Sequence, residues 1–232
     1  MAHWGDRGDG EFAHSLNLTD IHTTWVETRA VLGRGQTGVR DALDEMRQAL
    51  PFALQGSDSD NGSEFINLHL YGYCQEHRIQ FTRGRPYKKD DNAHIEQKNW
   101  THVRKLMGYV RYAAPEAVAA MNDLYRHELR LFQNRFLPSV KLVKKVRVGS
   151  RVRRRYDRPQ TPLERVVAGG GDPGKVAELV ALRARLDPFT LAQTIDEKLD
   201  RIYRLARSSA TPKAPEVGPV VGNQRVTSQM AR

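Results

Sequence analysis

The 232 residues carry 37 Lys and Arg against 27 Asp and Glu, a formal net charge of +10, with 39% hydrophobic and 28% charged residues. That is the balance of one main globular domain with appendages, and it lacks any apolar run approaching the ~20 residues of a membrane-spanning helix or a secretory signal at its start. A lone Cys74 cannot staple the fold, which fits a reducing cytoplasm.

The excess of cations favours a polyanionic partner. Membrane binding would require an amphipathic helix with one basic and one bulky apolar face; none stands out, so nucleic acid is the expected partner.

In chain order, Phe12, Leu16 and Leu18 lead to Thr19-Asp20, and Trp25 to Val31 follow a short polar link, which predicts two strands of a hairpin. Val39, Leu43, Met46 and Leu50 recur on one helical face, ended by Pro51. Phe52-Ala53-Leu54-Gln55 reads as a buried strand that delivers Asp58 and Asp60 to its C-terminal end. A second helix places Ile66, Leu70, Tyr73 and His77 on one side, and Ile79 to Thr82 form another short strand. A third helix is expected from about Asn92 to Tyr112. On it Glu96, Trp100, Val103, Met107 and Val110 make an inward stripe, and Lys98, His102 and Lys105 make a separate face suited to phosphate.

Pro115 suits the first turn of a further helix, with Val118, Met121, Tyr125 and Phe132 turned inward. Between Lys141 and Arg158 stand nine basic residues and one acid, Asp157. The interleaved Val143, Val146, Val148 and Val152 give this module strand character. Gly169 to Gly174 read as a linker, Val176 to Leu186 and Leu191 to Leu205 as two helices, and the Pro-, Gly-, Ser- and Thr-rich end as a disordered tail. The expected division is 1–136 for a catalytic core, 137–168 for the basic module, 175–207 for helices and 208–232 for the tail.

Three stretches carry chemistry together: Ser59-Asp60-Asn61-Gly62-Ser63-Glu64-Phe65-Ile66-Asn67, then Phe81-Thr82-Arg83-Gly84-Arg85-Pro86-Tyr87-Lys88-Lys89, then Asp91-Asn92-Ala93-His94-Ile95-Glu96-Gln97-Lys98-Asn99. Thirty-five residues separate Asp60 from Glu96. Asp60 sits where a strand gives way to a helix, the usual place for functional groups on an open sheet. Two carboxylates brought close together repel unless protonated or bridged by a cation. Hard oxygen ligands without Cys or paired His select Mg2+ or Mn2+ over Zn2+.

These stretches, with Leu18 to Trp25, Leu137-Pro138-Ser139 and Tyr156 to Pro162, resemble the DDE-type transposases and retroviral-type integrases, in particular the integrase-core transposases of bacterial insertion sequences. The resemblance implies a mixed-sheet ribonuclease H-like α/β fold with its first strand truncated. It also implies Asp60 and Glu96 as the last two carboxylates of a catalytic, metal-holding triad for Mg2+ or Mn2+. The implied activity is DNA transposition and integration: water cuts at a transposon end, and the freed 3′-hydroxyl attacks target DNA without a covalent enzyme intermediate.

Double-stranded DNA, as transposon ends and target, would be the partner, in a homo-oligomer in the bacterial cytoplasm at the nucleoid and not on a membrane. Arg83, Arg85, Lys88, Lys89, Lys98 and Lys105 are expected at the DNA, as are Lys144, Lys145, Arg147, Arg151, Arg153, Arg154 and Arg155. The dense charges and scarce amides of the basic module favour phosphate over base contacts.

The resemblance departs at Met1-Ala2-His3-Trp4-Gly5, where the family has Val-Ala-His-x-Gly preceded by the first triad Asp. Asp6 and Asp9 belong to a Gly-rich turn and Asp20 to the hairpin, so they read as turn residues. The corresponding expectation is a truncated copy or a misassigned start, inactive in strand transfer as it stands. The alternatives are a catalytically inactive DNA-binding fragment and a ribonuclease H-like nuclease that cuts without joining.

Overall fold

The computed structural model describes residues 1–6, 8–59, 68–83, 97–169 and 171–209. It is a mixed α/β structure in the order the sequence predicts, with two strands, a helix, then a strand, a helix and a strand, followed by helices.

β1 (Ala13–Thr19) and β2 (Val26–Leu32) pair antiparallel, from Ala13 opposite Leu32 to Thr19 opposite Val26. Between them Asp20 closes the turn, its carboxylate accepting from the backbone N–H and the hydroxyl of Thr23 at 2.5 and 2.6 Å. The other edge of β1 is partly covered by Met1 to His3. The amides of Ser15 and His3 donate to Met1 O and Ala13 O, and Ala2 bridges His14.

Alternation along β1 and β2 sorts their side chains onto two faces. Ala13 and Ala30 face a core made with Val103, Met107, Met121, Leu124, Tyr125 and Leu129. Leu16 faces another, with Val39, Leu43 and Met46 of α1 (Gln36–Ala49) and Tyr73, Cys74 and Ile79. The sheet therefore lies between two helical layers, which buries both faces of a hairpin that could not stand alone.

Strand β3 occupies Gly56–Ser59, four residues later than the apolar Phe52–Gln55 segment predicted to form it. Phe52 and Leu54 instead pack around Trp25, Leu50 and Leu163 from an irregular segment. Pairing with β4 (Gln80–Arg83) decides the matter, running parallel from Gly56 opposite Gln80 to Ser59 opposite Arg83. Strand formation follows the available ladder rather than local hydrophobicity. Helix α2 (Leu68–Glu76) lies within the crossover that a parallel pair requires.

The helix predicted to reach Tyr112 stops at Met107. Helix α3 covers 97–107 and ends on Gly108, whose φ of 63° a side chain would resist. Within it Trp100–Arg104 form a π-turn, with the Lys105 N–H donating to Trp100 O. One extra residue in a turn rotates everything before it by roughly 100° relative to a regular helix. The predicted stripe breaks: Val103 and Met107 are buried, whereas Trp100 is exposed, as are Tyr109 and Val110, which lie beyond the helix end at Met107. Tyr109 stacks beneath the Arg104 guanidinium.

Helices α4 (Pro115–Arg126) and α5 (Glu128–Arg135) break at His127. They cover the outer edge of β2 with two amides: Asn122 accepts from Ala30 N–H and donates to Ala30 O, and Asn134 does the same at Val26, all at 2.8 Å. These bonds satisfy the edge as a third strand would. The C-terminal helices α6 (Pro162–Gly169), α7 (Pro173–Arg183) and α8 (Pro188–Ser209) follow the basic strands. Ile195, Ile202 and Ala206 of α8 enter the same core as α4 and α5, so 175–207 is built into the body formed by the first 136 residues. The sequence predicts a tail from 208, but α8 runs on to Ser209; residues 210–232 lie outside the described residues.

At the centre, Trp25 is buried with its indole N–H on Glu27 Oε1 at 2.9 Å, and Arg130 Nε donates to the same oxygen at 2.6 Å. Arg130 and Arg135 lie over the Trp25 ring at 5.8 and 5.9 Å. Arg135 is fully buried with none of its guanidinium nitrogens hydrogen-bonded. Burial, reinforced by the Arg130 charge, pushes its pKa down to about 10 against the pull of Glu27. Removing Glu27 would leave two cations facing each other. Glu27→Ala is expected to destabilise the protein by about 3–5 kcal/mol, whereas Arg135→Met should be neutral or stabilise it by about 1–4 kcal/mol; urea unfolding midpoints measure both.

Candidate nucleic-acid interface

Asp60 comes directly after Ser59, the last residue of β3, and Glu96 directly before residue 97, the first described residue of α3. Both carboxylates lie outside the described residues, as do Arg85, Lys88, Lys89 and the side chain of Arg83. The neighbouring acids have other work. Asp58 is exposed and accepts from the Thr82 hydroxyl at 2.8 Å, Asp20 closes its turn, and Asp6 and Asp9 are exposed. Among the described residues no group of three or more His, Cys, Asp or Glu could hold a metal.

The predicted phosphate face on α3 is uneven. Lys105 is exposed, but Lys98 is half-buried, and burial lowers its ammonium pKa. Burial, and then the Lys98 charge, pushes His102 down to about 4, with its Nε2 left without a partner. The π-turn produces this split, because it sets Lys98 and Lys105 at different angles around the helix axis.

The basic module takes the form the sequence predicts. β5 (Leu142–Val148) and β6 (Arg151–Tyr156) form an antiparallel hairpin exposed along its whole length. Lys144 lies opposite Arg155, Lys145 opposite Arg154, Val146 opposite Arg153, Arg147 opposite Val152 and Val148 opposite Arg151. The tip is Gly149-Ser150, with Gly149 at a φ of 60°, as a two-residue hairpin loop demands.

The base of the hairpin is clamped to the body. Asp157 accepts from the Lys141 N–H and from Arg165 Nη1, both at 2.6 Å. Arg165 Nη2 donates to Ser139 O at 2.8 Å, and the amides of Ser139 and Gln160 each donate to the other's carbonyl. Thr24 and Ser139 hydroxyls meet at 3.0 Å, and Lys141 Nζ donates to His22 O at 2.7 Å. Sequence reasoning did not single out Asp157 and Arg165 as this clamp. The available signal was one acid in a run of nine cations.

The Arg165 hydrogen bond, then the Lys141 amide, holds the Asp157 carboxyl below the usual range. A depressed folded pKa stabilises above the unfolded value, about 3.9, and that contribution disappears as pH falls through the folded value. Asp157→Ala is therefore expected to speed hydrogen exchange of the Lys141 amide several-fold at pH 7, with the same loosening in the wild type at acid pH; exchange read by mass spectrometry or NMR checks this.

No family model matches the sequence. The chain is 43% identical over 173 residues to the uncharacterized protein y4rM of Sinorhizobium fredii, an alignment covering 75% of this chain and 48% of that protein. The chain thus spans about half the length of that relative. Among solved structures, it is similar to the catalytic core domain of BIV integrase, with a TM-score of 0.42 and 17% identity, over 67% of this chain and 86% of that one. Among the described residues no helix is long and apolar enough to cross a membrane.

Proposed function

We propose that this chain is a DDE-type transposase or integrase core with a ribonuclease H-like fold, acting on double-stranded DNA in transposition and integration. The observation that carries the reading is the position of Asp60 in the sequence, immediately after the C-terminal end of the parallel β3–β4 pair. That edge is where open α/β sheets place their chemistry. In the sequence Glu96 directly precedes residue 97, the first described residue of α3, whose Val103 and Met107 share a core with Ala13 and Ala30 of the β1–β2 sheet.

In this reading Asp60 and Glu96 hold Mg2+ or Mn2+, which would supply Lewis acidity and an activated attacking oxygen for in-line displacement at phosphorus. The two carboxylates would fix the cation. The cations of the hairpin, with Lys105 and the Arg83 to Lys89 segment, hold the DNA. The active assembly would be a homo-oligomer at the nucleoid. Asp60 and Glu96 are the two carboxylates of the expected triad that these 232 residues identify.

The exposed hairpin also favours a second reading, a DNA-binding chain without chemistry. Mn2+ titration separates the two. A bound ion that either Asp60→Ala or Glu96→Ala weakens at least about tenfold, with duplex binding unchanged, is expected of a metal-holding pair. Duplex binding with Mn2+ affinity indifferent to both substitutions would leave the second reading.

A further inference from the structure

The hairpin's shape and charge are more specific than a basic patch. Directly opposed residues of an antiparallel pair project from the same side of the ribbon. One face therefore carries Lys144, Arg151, Arg153 and Arg155, and the other Lys145, Arg147 and Arg154. Neither face packs on the body, and neither strand contains an acid. Asp157 at the base is occupied by Lys141 N–H and Arg165. Lys144 against Arg155 and Lys145 against Arg154 are like charges directly opposed, an arrangement that destabilises a pair. Two isolated strands are marginal even without it.

A surface offering anions on one side, such as a lipid headgroup layer or a single acidic protein face, would leave half of these cations unmatched. A groove of duplex DNA offers phosphates along both walls. Two strands about 4.8 Å apart fit the major groove of B-form DNA, about 12 Å wide and 8.5 Å deep, whereas the minor groove is about 6 Å wide. The ribbon is about 20 Å long at roughly 3.4 Å per residue. The major groove of A-form RNA is too deep and narrow for side chains to read. We infer that β5–β6 is an arm that enters the major groove of B-form DNA with a phosphate-contacting face on each side. This rests on the proposed reading only in taking duplex DNA as the partner.

The test uses the full chain and a mixed-sequence DNA duplex, with binding measured by fluorescence anisotropy across a salt series. Two triple variants are compared, Lys144→Ala/Arg153→Ala/Arg155→Ala on one face and Lys145→Ala/Arg147→Ala/Arg154→Ala on the other. Circular dichroism monitors the fold, and Arg40→Ala, a half-buried α1 cation paired with Glu76, controls for loss of a cation outside the hairpin. Each triple should flatten the log–log salt slope by about 2.7, three contacts at about 0.9 each, and Arg40→Ala should leave it unchanged. Methylation of guanine N7, which lies in the major groove, should interfere with binding, and methylation of adenine N3 in the minor groove should not.

A slope change confined to one face, interference confined to adenine N3, or equal loss with Arg40→Ala overturns the arm, as does tighter binding to duplex RNA or to phosphatidylserine vesicles at the same salt. Any of these leaves the Mn2+ result at Asp60 and Glu96 standing. Conversely, two flattened slopes with no carboxylate-dependent Mn2+ binding would keep the arm and remove the metal chemistry.

Discussion

A single buried carboxylate, Glu27, holds the layers in register. It receives the indole of Trp25 and the guanidinium of Arg130, and Arg130 reaches on to Ala49 O at the end of α1. One acid thereby joins the start of β2, the C-terminus of α1 and the middle of α5. Beside it, Arg29 and Arg126 share Glu45, whose carboxyl their hydrogen bonds hold below its usual range. The cluster is cation-rich and buried at Glu27 and Arg29, opening to solvent at Glu45 and Arg126, so its strength lies in the consequence of breaking its buried end. An uncompensated buried charge costs far more than an intact pair contributes, and such a site tolerates little displacement of one layer against another.

That rigidity reaches the hairpin through α5. Asn134, one residue before Arg135, satisfies the edge of β2, and a few residues on Ser139 meets Thr24 and accepts from Arg165. The arm therefore leaves the body from a fixed point, although nothing packs on it beyond its base. A ribbon whose own side chains repel needs such an anchorage to project in one direction. The acids that would neutralise it are engaged elsewhere, with Asp157 in the clamp and Glu164 accepting from the Thr161 amide.

Much of this order was legible in the residues. Alternation in Ala13–Thr19 and Val26–Leu32, helical spacing from Val39 to Leu50 and the valines among the cations of the hairpin each reflect packing or pairing that acts locally, so the pattern survives in the sequence. The misplaced elements have non-local causes. Phe52 to Gln55 look like a strand by composition, but β4 offers its ladder to Gly56–Ser59, and nothing in the segment announces its partner. The stripe through Trp100 fails because a π-turn changes the period by one residue, which only the backbone bond from Lys105 to Trp100 reveals. Of the candidate site, the hairpin cations could be placed, whereas Asp60 and Glu96 are located only through the elements that flank them.

The distribution of charge gives the parts a common logic. Nearly all of the net +10 is matched by the surplus of cations between Lys141 and Arg158, so the body is close to neutral and the field is concentrated on one projecting element. Any polyanion approaching this surface would be steered first to the arm. The exposed apolar side chains among those cations, Leu142, Val143, Val146, Val148, Val152 and Tyr156, would be a liability on a free edge, but the flanking Lys and Arg repel a second copy of the same strand. β-Branched residues keep the backbone extended. Charge and shape thus act together on this element, since the cations oppose edge-to-edge pairing of two hairpins while the extended backbone holds them apart from the body.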